Sequence, residues 1–144
     1  SPWNIGGVLR LAQNYDVAMV AIAGDRSQAR DGVAHGTNVM RSEKHIPIVR
    51  GDDLHALIPF GAVPVAVDLV DGAISLPAYQ HPASAFYVFG PENGTLGKDV
   101  LSWCRDRVMV PTRCCMNLHV TVGVVLYDRM AKADRAARKI SVAA

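Results

Sequence analysis

Apolar and polar residues alternate in blocks along this chain. From Asn4 to Tyr15, Ile5, Val8, Leu9 and Ala12 recur at helical spacing after the start signals Pro2 and Asn4, and Asp16 closes the pattern, which predicts a first helix. Residues 17–23 form a short, unbroken apolar run ending at Gly24-Asp25, as expected of a buried parallel strand. From Arg26 to Lys44 the chain turns polar and basic and reads as an exposed segment. Further strands are predicted over 46–49, 63–69, 85–89 and 107–110, the last ended by Pro111. Short helices are predicted over 52–57, with Asp52 as a cap, and over 96–104. A loop holding Pro77 and Pro82 leads into Ala85. A long helix runs from about Asn117 to Lys139, with Leu118, Val122, Val125, Leu126 and Met130 tracing its apolar stripe. Strands alternating with helices predict an α/β fold, a parallel sheet with helices on both faces. In such a fold, ligands bind outside the carboxyl ends of the strands.

A chain of 144 residues suits a single domain, 1–144, with one hydrophobic core. Half of the residues are hydrophobic and 19% are charged, which excludes a disordered chain. Residues 57–70 are the most apolar region, but Pro59, Gly61, Pro64 and Asp68 interrupt it, so no membrane span and a soluble chain are expected. The start, Ser1-Pro2-Trp3-Asn4, has neither a signal-peptide pattern nor an initiator Met, which leaves open that the chain is a fragment. Three cysteines, with Cys114 and Cys115 adjacent, make a poor disulfide framework, and no Cys or His spacing fits a zinc site. A reducing cytoplasm and no metal are therefore expected. The net charge of +2 permits an anionic partner without demanding one.

Three segments sit where such a fold places ligands: Asn4-Ile5-Gly6-Gly7-Val8-Leu9-Arg10, Phe89-Gly90-Pro91-Glu92-Asn93-Gly94-Thr95-Leu96-Gly97, and Val110-Pro111-Thr112-Arg113-Cys114-Cys115-Met116-Asn117-Leu118. Glycines at the exit of a strand let backbone groups approach a ligand, and they equally favour an ordinary strand-to-helix turn; the residues alone leave both readings open. A P-loop is excluded because no Gly-Lys-Ser/Thr follows the glycines, and the dinucleotide fingerprint G-x-G-x-x-G is absent.

In order, spacing and context these three segments resemble the motifs of the SpoU/TrmH family of RNA 2′-O-ribose methyltransferases, and the resemblance covers nearly the whole chain. It is most similar to the small, single-domain members that act on tRNA. The resemblance implies an α/β fold whose C-terminal part is tied in a deep trefoil knot, a rare exception to the rule against threaded chains. It implies S-adenosyl-L-methionine as cofactor, bent in the knot and held mainly by backbone groups, with contacts carried over to Val67, Gly90, Val110, Cys115, Met116 and Leu118. It also implies a homodimer, RNA as partner with tRNA ahead of rRNA, and catalytic roles for Arg10, Glu92 and Asn117.

Methyl transfer from a sulfonium to a ribose 2′-oxygen requires two reactants in line and a stabilised 2′-oxygen as its proton leaves. A guanidinium stays protonated and offers no acceptor, so Arg10 is expected to clamp the neighbouring phosphate and stabilise the 2′-oxygen electrostatically rather than act as a base. Glu92 is expected to orient Arg10 or shape the cofactor loop, or alternatively to serve as a helix N-terminal carboxylate. Asn117 is expected either to hold the loop or contact substrate, or to be an N-cap. RNA contacts are expected from Arg10, Arg26, Arg30, Arg41, Lys44 and Arg113.

The chain departs from the family pattern at Asn93, where Gly is common, at Cys115, where Ser is usual, and at His119, which replaces a small polar residue. It also lacks residues for the strand that family members carry before the Asn-Ile-Gly motif, from which an exposed sheet edge is expected. Two other classes of function were weighed: an RNA-binding protein of the same fold without transfer activity, and an unrelated α/β small-molecule enzyme. The three motifs together argue against the latter, and retention of Arg10, Glu92 and Asn117 argues against the former.

Overall fold

The computed structural model describes residues 2–23, 41–91 and 94–143. In chain order the elements are α1 (Pro2–Asn14), β1 (Val20–Ala23), β2 (Ile48–Gly51), β3 (Val63–Val67), β4 (Ile74–Ser75), β5 (Ala85–Phe89), α2 (Lys98–Trp103), β6 (Asp106–Met109) and α3 (Leu118–Ala143), with short 3-10 turns between some of them.

The all-apolar run Val63-Pro64-Val65-Ala66-Val67 becomes the central strand, as expected for a strand covered on both faces. It pairs in parallel with β5 on one side and with β6 on the other, and β6 pairs in parallel with β4, giving the order β4-β6-β3-β5. Alternation along β3 divides the core. Val65 and Val67 face α3 and pack with Val125, Leu76 and Tyr79. Ala66 points the other way and packs with Val88, Leu96 and Cys104, against which Val100, Leu101 and Trp103 of the α2 region are laid. Helices therefore cover both faces of this sheet. Burial pushes the Cys104 thiol up to about 11, which keeps it a neutral packing group.

Among the described residues the strands form two parallel ladders, not one sheet: β1 pairs with β2, apart from the other four. The predicted strand over 17–23 loses its first residues to the end of α1. Asp16 takes the left-handed conformation at φ 53, Val17 N–H donates to the Ala12 carbonyl at 2.9 Å and Asp16 N–H to that of Gln13 at 3.3 Å. This is a Schellman-type stop, and it leaves β1 to begin at Val20. All four residues of β1 are half-buried, short of the full burial expected from their apolar run. The strand expected over 46–49 starts instead at Ile48, because Ile46 N–H is spent on the Ser42 carbonyl at 2.9 Å in a turn.

The helix expected over 52–57 is only a 3-10 turn, His55–Leu57. Asp53, not Asp52, accepts the His55 N–H, at 2.9 Å. Pro59 forces Ile58 into an extended conformation and ends the turn. The predicted loop through Pro77 and Pro82 conceals β4 and a 3-10 turn, Leu76–Ala78, from which Leu76 and Tyr79 enter the core. Two-residue β4 is too short to show a period. Among the described residues, no helix is long and apolar enough to cross a membrane.

A partly buried polar cluster fastens α3 to the sheet. Asp128 accepts from His81 Nε2 at 2.8 Å and from Lys132 Nζ at 2.6 Å. The other ring nitrogen of His81 accepts from the Tyr87 hydroxyl at 2.6 Å, and Tyr87 in turn accepts from Arg129 at 3.2 Å. Lys132 also donates to the carbonyls of Leu76 at 2.6 Å and Tyr79 at 2.8 Å, and Arg129 to those of Pro82 at 2.8 Å and Ala83 at 2.7 Å. Every charge in the cluster has a partner, which is the condition for burying it.

The His81 side chain is only 6% exposed. Burial, aided by the nearby Lys132 and Arg129 cations, holds its pKa below the ordinary 6.5 in spite of Asp128. As the pH falls below 6.5 the unfolded chain takes up a proton that the folded ring resists, so this contribution to stability is complete above 6.5 and is lost in acid. We expect urea midpoints to drop between about pH 7.5 and about pH 5.5, and to drop less in His81→Gln, whose amide retains a donor toward Asp128. An equal drop in both proteins would show that His81 is not the responsible group.

Candidate functional site at the carboxyl ends of the strands

The chain leaves β3, β5 and β6 at one end of the sheet, where Asp68, Gly90 and Val110 turn away from their strands. Val67, Gly90, Val110, Cys115, Met116 and Leu118 all line a single cleft there, of about 270 Å³, at the small end of the range for small-molecule sites. The six residues that the family resemblance implies as one ligand set are therefore neighbours in space, although they come from three separated segments.

Asp68 organises this cleft. Its carboxylate accepts from its neighbour Leu69 N–H at 2.7 Å and, across the cleft, from Leu96 N–H at 2.6 Å. Its own N–H donates to the Val108 carbonyl at 3.0 Å. One residue thus ties the end of β3 to β6 and to the glycine-rich loop. A Cβ on Gly90 would stand 3.4 Å from both the Asp68 carboxylate and Leu96 N, so the loop crosses the strand end with little room to spare. In the sequence Asp68 reads only as a break in an apolar run. The available signal was a carboxylate directly after a buried strand, at the end where ligands bind.

On the opposite wall, Thr112 donates from its hydroxyl to the Cys114 carbonyl at 2.9 Å, and its N–H donates to the Val110 carbonyl at 2.8 Å, curling residues 110–114 into a turn. The exposed thiol of Cys115 and the side chains of Met116 and Leu118 continue that wall. Among the described residues that line the cleft there is no Lys or Arg, and Asp68 carries the one carboxylate. A phosphate-bearing ligand would meet no cation there, whereas a ligand carrying positive charge meets a fixed carboxylate. No cluster of His, Cys, Asp or Glu able to hold a metal occurs among the described residues.

Asn117 lies between two lining residues at the start of α3. Its side-chain oxygen accepts from His119 N–H at 3.1 Å, and its carbonyl accepts from Thr121 N–H at 3.0 Å, the geometry of an N-cap. Arg10 is exposed on α1, does not line the cleft, and pairs with no described residue. The helix that carries it, α1, packs against α3. Asn4 is buried and its side-chain oxygen lies at hydrogen-bond distance, 2.9 Å, from His119 Nδ1, while Leu11 lies against Gly123, where an added Cβ would be 3.4 Å away. Glu92, Arg26 and Arg30 lie outside the described residues.

Of the remaining basic residues, Arg41 and Lys44 are exposed on a segment anchored to α1: Ser42 is fully buried and donates to Gln13 Oε1 at 2.7 Å. Gln13 is about one helical turn beyond Arg10, so the segment that carries Arg41 and Lys44 docks on the same helix as Arg10. Arg113 is exposed in the turn beside the cleft.

The model of the SpoU rRNA Methylase family matches residues 1–127. No curated protein matches the chain in sequence. Among solved structures, an rRNA methyltransferase from Sinorhizobium meliloti is similar with a TM-score of 0.77 at 17% identity, over 92% of this chain and 52% of that one. The SpoU methyltransferase AviRb from Streptomyces viridochromogenes, in complex with AdoMet, gives 0.76 at 18% identity, over 92% of this chain and 54% of that one. The A. aeolicus TrmH/SpoU tRNA modifying enzyme gives 0.77 at 15% identity, over 95% and 72%. The chain spans about half the length of the first two, and the likeness to all three is one of fold. Since the family model takes in α1, the whole four-stranded sheet and the start of α3, and so every segment that builds the cleft, the chain belongs to the SpoU rRNA methylase family.

Proposed function

We propose that this protein transfers a methyl group from S-adenosyl-L-methionine to a ribose 2′-hydroxyl of RNA, with tRNA as the favoured substrate and the cytoplasm as its place of action. The observation that carries the reading is the convergence of Val67, Gly90, Val110, Cys115, Met116 and Leu118 on one cleft at the strand ends. The cleft fits the cofactor in chemistry. Met116 and Leu118 offer apolar surface for an adenine ring, and the turning backbone at Gly90 and Val110 offers hydrogen-bonding groups. Asp68 supplies negative charge toward a ligand bearing a sulfonium and an ammonium group.

When bound, S-adenosyl-L-methionine supplies an electrophilic methyl group. A bond from the 2′-oxygen to that carbon would form as the carbon–sulfur bond breaks, its electron pair staying on what becomes a neutral thioether, and the hydroxyl proton would pass to a phosphate oxygen or to water. Arg10, exposed and without a described partner, clamps the RNA phosphate next to the reacting ribose and stabilises the oxygen as its proton departs. Asn117 holds the first turn of α3 against the cleft by capping it. Arg41, Lys44 and Arg113 extend the positive surface that guides RNA to Arg10.

Two features of the fold belong to the same reading. Strand β6 lies between β3 and β4, which are joined directly by residues 68–73, and Asp68 N–H is bonded to Val108. This supports a chain that leaves β6 through the β3–β4 connection, the crossing of a trefoil knot. Trp3 on α1 and Val120, Tyr127 and Met130 on α3 leave apolar surface exposed, which supports a homodimer formed through these helices.

Titration calorimetry with S-adenosyl-L-methionine tests the cofactor: we expect binding to the folded protein, weakened about tenfold by Asp68→Ala, which frees the Leu96 N–H. Absence of heat would sink the proposal. Labelled-methyl transfer to total tRNA and to rRNA, followed by mapping of the modified ribose, tests the substrate. Binding without transfer to either RNA would favour an RNA-binding protein that has kept the fold. For Arg10→Lys we expect turnover to fall by at least about tenfold with cofactor affinity intact, because an ammonium cannot make the bidentate phosphate contact. Turnover close to that of the parent protein would refute the need for a guanidinium.

A further inference from the structure

His119 is half-buried, lines no part of the cleft, and touches both of the segments to which the proposed function assigns its RNA chemistry. Its backbone N–H donates to the Asn117 side chain at 3.1 Å. Its ring reaches across to α1, where Nδ1 bonds the buried Asn4 amide oxygen at 2.9 Å. The same ring fills the space above Gly7. A Cβ on Gly7 would lie 2.7 Å from His119 Cγ and 2.9 Å from its Cβ, a distance that real side chains do not tolerate. Gly7 and His119 are thus a matched pair, one residue without a side chain and one with a flat ring seated on the bare backbone. Arg10 follows Gly7 by three residues, about one turn along the same helix.

Resting on the functional reading above, we propose that His119 is a positioning residue that sets the distance and rotation between α1, which carries Arg10, and the N-terminus of α3, which carries Asn117. A small polar side chain at this position would leave a gap over Gly7 and let the two helices slide. The ring closes that gap and, through Nδ1, fixes the phase of α1 at Asn4. Because the Asn4 oxygen faces Nδ1, the proposed contact has Nδ1–H as its donor. The residue acts on the placement of Arg10 and Asn117 and not on the cofactor, because it does not reach the cleft. His119→Asn is the conservative replacement: its amide nitrogen falls where Nδ1 stood. His119→Ala removes both ring and donor.

The test combines kinetics, calorimetry and nitrogen-15 NMR of the histidine rings. We expect His119→Ala to lower kcat about 10- to 100-fold, as a misplacement of reacting groups does, with the Kd for S-adenosyl-L-methionine within about twofold of the parent. His119→Asn is expected to recover most of the loss, and Gly7→Ala, which pushes the ring away, to reproduce it. In the parent protein the His119 resonances should report the Nδ1–H tautomer. Parent-like kcat in a folded His119→Ala protein would overturn the proposal, as would a cofactor Kd that rises in step with the kcat loss. An Nε2–H tautomer in the parent overturns it without recourse to any variant, and this reading stands even if His119→Ala fails to fold. A parent protein that methylates no RNA would refute the functional reading itself, an outcome distinct from an active parent indifferent to His119.

Discussion

The central strand β3 is the constraint on which the rest of the structure depends. It has a neighbour on each edge and a helix layer on each face, so its Val and Ala side chains are consumed entirely by packing. Its carboxyl end is the one place where it meets something other than core. Asp68 stands there: one carboxylate oxygen accepts from Leu96 N–H of the glycine-rich loop, the other from its neighbour Leu69, and its own N–H bonds β6. The cleft exists because a fully packed strand stops and a carboxylate takes over the job of ordering the backbone. Gly90 needs no phosphate to explain it, since a Cβ added there would already stand 3.4 Å from both the Asp68 carboxylate and Leu96 N.

A second tier of polar contacts sets the position of α3. Asp128, His81, Tyr87, Arg129 and Lys132 bind this helix to the 76–83 segment and to β5, with each buried charge satisfied. The same helix begins at Asn117 and carries His119 in its first turn. Stability and chemistry therefore meet on one element: the polar cluster holds the middle of the helix in place, and its N-terminus presents Asn117 beside the cleft. Interactions of this kind are worth little on an exposed surface and more when buried and fully paired, which suits a helix whose register must not drift.

Much of the architecture was legible in sequence because apolar runs and turn residues are local signals. The strand at 85–89 emerges with the same bounds, and the helices that begin near Asn4, Leu96 and Asn117 differ from expectation only at their ends. Departures arose where a local signal was overruled by a hydrogen bond from elsewhere. Val17 was taken by the stop of α1, Ile46 by the Ser42 carbonyl, and the 52–57 segment by Asp53 and Pro59. Strand β4, two residues long, has no pattern to read and exists because β6 offers it an edge.

The sequence by itself determined the α/β class and the three motif segments, because these follow from periodicity, glycine placement and the order of motifs along the chain, and the family resemblance carried by those motifs implied the six residues that share the cleft. Only the tertiary structure decided how the pieces are joined. That Asp68 bonds Leu96, that β1 and β2 form a ladder of their own, that His81 pairs with Asp128, and that Gly7 leaves room for the ring of His119 are all relations between residues far apart in the chain. No local pattern encodes them, since each depends on the distance and direction at which packed elements bring two polar or apolar surfaces together.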